Sequence, residues 1–144
     1  MLKGIPKILS PELLKILMEM GHGDEIVIGD GNFTAASLAQ RLVRYDGNGV
    51  PELLEAILDV IPLDAYVKTP VALMEVAAGD KTPTPEIWDT YREIVMNHEP
   101  VNHGIEHMER FAFYERAKRA YAIVATGESA IYANIILKKG VIAG

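Results

Sequence analysis

Short apolar runs alternate along the chain with longer stretches in which apolar residues recur every three or four positions. Turn residues separate the two kinds of segment. Ser10-Pro11-Glu12 supplies an N-cap, a proline at the first helical position and an acid in the first turn. Leu13, Leu14, Leu17 and Met20 then keep helical spacing, which predicts a helix ending at His22 with Gly21 as a left-handed cap. The run Glu25-Ile26-Val27-Ile28-Gly29 is short, apolar and β-branched, as expected of a strand buried on both faces. Residues 35–40 predict a short helix, Leu42-Val43 a short strand, and Asp46-Gly47-Asn48-Gly49 a turn. Pro51-Glu52 opens a second long helix with Leu53, Leu54, Ile57 and Leu58 on one face, closed by Val60-Ile61-Pro62.

After a connector bounded by prolines, residues 71–77 predict another buried strand, and residues 79–85 form the most loop-like stretch of the chain. A third long helix starts at Thr84-Pro85-Glu86, carries Ile87, Trp88, Tyr91, Ile94 and Val95, and is stopped by Pro100. A polar connector through Gly104 leads to a last helix over residues 110–116. Strands at 121–126 and 135–137 follow, joined through the turn Gly127-Glu128-Ser129. Strands alternating with helices predict one α/β domain over residues 1–144, in three layers, with a mainly parallel sheet flanked by helices. The closing pair around Gly127 is expected to be antiparallel, because its connection is too short for a crossover helix.

Composition narrows the function classes. At 144 residues the chain can bury one substantial core, and 49% apolar against 7% aromatic residues makes that core aliphatic. A net charge of −6 argues against nucleic acid, since no segment offers a basic face for phosphates; it suits a soluble cytoplasmic protein. With no cysteine there is no disulfide framework, thiolate zinc site or cysteine nucleophile. No run reaches the roughly 20 apolar residues of a membrane span, and the N-terminus has no signal-peptide pattern.

The candidate chemistry gathers around the first strand. His22 lies between Gly21 and Gly23; it is either a proton donor in an open turn or a histidine favoured by a helix carboxyl end. Asp30 follows the strand, at the edge where open α/β sheets bind ligands, and is either a ligand carboxylate or a turn and helix cap. Arg110 starts a helix, where its charge is slightly unfavourable, so a fork onto vicinal hydroxyls competes with an ordinary surface role. Tyr114 lies one turn further and shares that face, as a lesser candidate. Tyr132 and Asn134 alternate on what reads as an extended segment and would point to one side.

His98, His103 and His107, with Glu99 and Glu106, invite a metal reading. Pro100 and Gly104 break the helical spacing it needs, and no HExxH pattern exists, so no metal is expected. Nor is there a GxGxxG fingerprint, a phosphate loop or a GxSxG elbow.

The motif Gly21-His22-Gly23-Asp24-Glu25-Ile26, followed by Asp30, Asn32 and Phe33, resembles the L-fucose mutarotase / D-ribose pyranase family. RFAFYERAKRA from Arg110, TGE from Thr126 and YANIILKKGV from Tyr132 agree with it, so the resemblance spans nearly the whole chain. RFAFYERA looks like the fucose branch, whereas Ala133 stands where that branch often has glycine. The resemblance implies a cofactor-free isomerase acting on a free monosaccharide, most simply L-fucose. His22 is then the proton donor, and Asp30, Arg110, Tyr132 and Asn134 hold the sugar. The alternatives are pyranose-to-furanose exchange of D-ribose type, or a non-catalytic sugar-binding or transport-accessory protein. It also implies a homodecameric ring with sites at subunit contacts. Independently, His22 and Asp30 flank a five-residue strand, on the order of 15 Å or more apart at about 3.3 Å per residue, too far for one monosaccharide.

Overall fold

The computed structural model describes residues 1–144. Eleven elements follow in the order α1 (Pro11–Glu19), β1 (Glu25–Gly29), α2 (Ala35–Leu38), β2 (Leu42–Tyr45), α3 (Val50–Leu58), β3 (Val71–Met74), α4 (Ile87–His98), β4 (Ile105–Met108), α5 (Arg110–Arg119), β5 (Ala122–Thr126) and β6 (Ile135–Lys138). All six strands join one sheet in the order β2-β5-β1-β6-β3-β4. Side chains alternate cleanly between its faces. Ile26, Ile28, Val71, Leu73, Ala122, Val124, Ile135 and Leu137 face α1, α3 and α4 in a cluster of 26 buried residues. Val27, Ala72, Met74, Ile123, Ala125 and Ile136 face α2 and α5 in a cluster of 10, where Ala35, Ala117 and Ala120 keep the helices close. The three layers are therefore α/β/α with unequal cores. No helix is long and apolar enough to cross a membrane.

The sheet is mixed rather than mainly parallel. β1 pairs with β5, β2 with β5, and β3 with β4 in parallel, whereas β6 runs antiparallel to both β1 and β3. β6 is antiparallel as expected, but it does not pair with β5. The loop after Thr126 steps over the carboxyl end of β1 and sets β6 on its far side, so β1 lies between the two. That crossing makes the site, because the start of β6 arrives at the same edge where β1, β3, β4 and β5 end.

Other expectations shift at their boundaries. α1 stops at Glu19, with Met20 extended as its cap, and the left-handed residue is Gly23 at φ +87° rather than Gly21. The turn thus tightens after His22 instead of before it. The third strand ends at Met74, three residues early. β4 was hidden in the polar connector: it is an edge strand of four residues whose Glu106 and His107 break any apolar run. Its side chains alternate, with His107 against Trp88 on one face and Glu106 bonded to Thr69 and Arg116 on the other.

Candidate active site

Asp30 closes β1 and is 6% exposed. Its backbone N–H donates to Asn134 Oδ1 at 2.7 Å, Oδ1 accepts the Asn32 N–H at 3.0 Å, and Oδ2 accepts the Ala133 N–H at 3.3 Å. The carboxylate thus caps its own turn rather than helix α2, whose N-cap is Thr34. Burial pushes its pKa above the ordinary value, against the lowering effect of the Asn32 and Ala133 N–H groups. A carboxylate has about four acceptor positions, and two remain for a ligand. Around it, Gly31 N–H donates to Glu128 O and Thr126 Oγ1 donates to Gly29 O, fastening the crossing loop to the end of the strand. Gly29 admits only hydrogen there, since a Cβ would lie 2.8 Å from the Phe33 ring.

The segment before β6 is a turn, not an extended stretch. Tyr132 has φ +55°, which is costly for a residue with a side chain and is held by its surroundings. Trp88 Nε1 donates to the Tyr132 carbonyl at 2.8 Å, and the buried Tyr91 hydroxyl donates to the Ala133 carbonyl at 2.7 Å. Helix α4 therefore pins both carbonyls from below. Above the sheet edge, the Tyr132 hydroxyl donates to Asp80 Oδ2 at 2.5 Å and accepts the Ala77 N–H at 3.2 Å. Tyr132 and Asn134 still reach one cleft, by way of this left-handed kink rather than by strand alternation.

Arg110 and Tyr114 enter from α5. Glu109 caps that helix by accepting the Phe111 and Ala112 N–H groups, so Arg110 sits at the first turn beside the ends of β3 and β1. Arg110 Nε donates to the Tyr114 hydroxyl at 3.0 Å, while its two terminal nitrogens have no protein acceptor. That bond and the Tyr114 dipole hold the guanidinium pKa above its ordinary value. Tyr114 packs edge-on to Phe33, with ring centroids 5.8 Å apart. Asp30, Arg110, Tyr114, Tyr132 and Asn134 thus line one cleft of about 300 Å³, completed by Asn32, Phe33, Met74, Ala77, Asp80 and Ile131. Its size is at the lower end for small-molecule sites. Acceptors at Asp30, donors at Arg110 and Asn134, and the Phe33 ring suit one small polyhydroxylated molecule.

His22 is not among them. It lies at the amino end of β1, where its Nε2 meets Asp64 Oδ1 at 3.0 Å and its ring leans on Tyr66, with centroids 5.2 Å apart. Asp64 is 4% exposed and its Oδ1 also accepts the Tyr66 N–H at 3.0 Å. Burial alone would raise the Asp64 carboxyl; the Tyr66 N–H and the imidazole outweigh that and hold it below the usual range.

The histidines considered for a metal are dispersed as well. His107 packs on Trp88, while His98 joins Glu55 and Asp59 between α3 and α4, where its Nε2 is 2.7 Å from Asp59 Oδ1. Those three are the group whose spacing would admit an ion. Sequence reasoning missed Asp80, Asp64 and Tyr66. Asp80 sits in the most loop-like stretch, and Asp64 and Tyr66 lie at the start of the proline-bounded connector, where no motif marks them.

A small-polyol cleft at the strand ends of an α/β domain defines the class. Within that class, the chain belongs to the RbsD / FucU transport protein family, whose model matches residues 3–142. It is 52% identical to a fucose mutarotase of Homo sapiens, over 99% of this chain and 95% of that protein. It is 50% identical to an L-fucose mutarotase of Actinobacillus pleuropneumoniae serotype 5b, over 98% and 97%. The fold matches the crystal structure of the fucose mutarotase in complex with L-fucose from Streptococcus pneumoniae at TM-score 0.93 and 55% identity, covering 99% and 100% of the two chains. Bacillus subtilis RbsD complexed with D-ribose shares the fold at TM-score 0.73 and 24% identity, over 99% and 100%.

Proposed function

We propose that this chain is an isomerase that interconverts the anomers of free L-fucose by opening and reclosing the sugar ring. One observation carries the reading: the fucose-bound neighbour overlays this chain end to end at 55% identity, and this chain has a monosaccharide-sized cleft into which Asp30, Arg110 and Asn134 converge. In the cleft, Asp30 accepts hydroxyl protons, Arg110 and the Asn134 amide donate to sugar oxygens, Tyr132 offers its remaining lone pair, and Tyr114 orients Arg110. His22 gives its proton to the ring oxygen as the C1–O bond opens, and a water or a tyrosine takes the proton of the anomeric hydroxyl, leaving the open aldehyde. Reclosure on the other aldehyde face returns both protons. No net change in charge or oxidation state occurs, so the reaction calls for no cofactor.

The same reading joins His22 of one subunit to the cleft of a neighbour in a ring, of ten subunits on the family resemblance. The support is geometric: Asp30 and His22 stand at opposite ends of β1, while Tyr66, Val101 and Phe111 are 80%, 94% and 64% exposed, apolar area that an assembly would cover. A cytoplasmic setting belongs to it too, in keeping with the acidic charge. Saturation-transfer NMR on L-fucose at anomeric equilibrium tests the function. Transfer between the two anomeric signals only when protein is present is the expected result. Line broadening without transfer would instead mean a sugar-binding protein.

A further inference from the structure

His22 and Asp64 are 42 positions apart in sequence, yet their side chains meet at 3.0 Å at the amino end of β1. The carboxylate belongs to the buried side of the pair: Asp64 is 4% exposed, whereas the His22 side chain is 44% exposed. Its position is fixed from several directions. The Asp64 N–H donates to Lys138 O at 2.9 Å, which anchors it to β6, its carbonyl accepts the Asn102 amide, and its Oδ1 accepts the Tyr66 N–H. The imidazole is therefore the movable, solvent-facing member, and the carboxylate is the fixed one.

A carboxylate kept ionised can only accept a hydrogen bond, so the imidazole nitrogen facing it must carry a proton. Asp64 is held below the usual carboxylate range, so it stays ionised throughout the neutral region. Nε2 is therefore the fixed N–H in both charge states of the ring, and proton exchange is left to the other nitrogen. The Tyr66 ring stands against the imidazole with its plane tilted by 50°, which limits rotation about the contact.

We infer that Asp64 is a positioning residue that fixes the His22 tautomer, so that Nδ1 is the nitrogen that hands the proton to the sugar ring oxygen and takes it back. This rests on the assignment of His22 as proton donor. Asp64 also supplies the fixed negative charge beside an imidazolium, so the charged form of the donor is oriented before substrate arrives. In the transfer, the Nδ1–H bond breaks, the proton joins the ring oxygen that keeps the electron pair of the opening C1–O bond, and the imidazole is left neutral with Nε2–H on Asp64.

Two measurements test it. In 15N-histidine-labelled protein at a pH where the ring is neutral, solid-state NMR reports which nitrogen of His22 is protonated, its signals assigned by their loss in His22→Ala. Nε2–H is expected; Nδ1–H would overturn the inference. Asp64→Asn keeps one oxygen for the Tyr66 N–H, replaces the other with an amide NH2 and removes the negative charge. It should lower kcat for anomer exchange tenfold or more with KM within about twofold. An unchanged kcat, or a rise in KM that accounts for the whole loss, would make Asp64 a structural or sugar-contacting residue and overturn the inference. Should that variant fail to fold, the tautomer of the unaltered protein still decides. The underlying reading fails separately: a folded His22→Ala that retains exchange removes His22 from the chemistry whatever its tautomer.

Discussion

The two ends of strand β1 are built by different means. At the carboxyl end, Asp30 is wrapped by backbone: three main-chain N–H groups and a crossing loop define its surroundings, and helix α4 holds that loop through Trp88 and Tyr91. At the amino end, His22 hangs from a glycine-flanked turn and has one firm polar contact, to Asp64. The first end is a preformed vessel and the second an exposed side chain with a fixed counter-charge. A rigid cleft without the histidine and an exposed histidine without a cleft are complementary, which is the physical argument behind the proposal that copies of the chain share one reaction.

Removing the exposed end gives the largest effect. General acid catalysis contributes roughly 10² to 10⁴-fold, so His22→Ala should lower exchange by at least about 100-fold while the melting temperature stays near that of the unaltered protein. Its partner in the test is Asp30→Asn. Each variant alone should be inactive or nearly so at low sugar concentration. Mixed under conditions of subunit exchange, hybrids that hold an intact His22 opposite an intact Asp30 should regain activity. Equal inactivity of mixed and unmixed samples, with exchange confirmed by mass labelling, would end the shared-site idea for this pair.

At the enclosed end the expected loss is smaller and of another kind. Asp30→Asn gives up charge-assisted hydrogen bonds, so L-fucose affinity should fall by about 1.5 to 3 kcal/mol, roughly ten- to a hundredfold. Titration of sugar into the variant, followed by calorimetry, checks it. An unchanged affinity would reduce Asp30 to a turn cap.

The two ends were not equally legible. Helices and strands declared themselves wherever apolar periodicity was unbroken, and β1 was read to the residue. β6 was assigned the correct direction but the wrong neighbour, because no local signal tells a loop to step over a strand. β4 stayed hidden because an edge strand of four residues with Glu106 and His107 has too little apolar content to stand out. The cleft residues Asp30, Arg110, Tyr114, Tyr132 and Asn134 could be named from the motifs, but how Tyr132 reaches the cleft could not. Its left-handed backbone depends on Trp88 and Tyr91, more than forty positions away in sequence. Asp64 was illegible for the same reason: what makes it matter is a contact between distant segments.

That dependence on α4 yields a prediction confined to the enclosed end. Tyr91→Phe leaves the Ala133 carbonyl without its buried donor, which should cost about 1 to 3 kcal/mol of stability and loosen the turn that carries Tyr132 and Asn134. Urea denaturation measures the first, and a rise in KM with little change in the tautomer of His22 measures the second. An equal effect on both ends would show that the cleft and the histidine turn are mechanically one unit.

The smallest effect separates the pH dependence of the fold from that of the chemistry. His98 lies between α3 and α4, away from both ends of β1. Burial alone would lower its pKa, but the Ile94 carbonyl and the carboxylates of Asp59 and Glu55 outweigh this and hold it above the ordinary value. A histidine whose folded pKa is raised stabilises the fold fully below its unfolded value of about 6.5, and that contribution fades as pH rises through the folded value. The carboxylates are about half exposed, so the contribution should stay below roughly 1 kcal/mol. His98→Gln should therefore flatten the stability profile between the ordinary histidine value of about 6.5 and the raised folded value, while leaving the pH profile of anomer exchange unchanged. If exchange moves with it, the proton-dependent step of catalysis is coupled to the α3–α4 contact, and the pH profile of activity no longer reports on His22 alone.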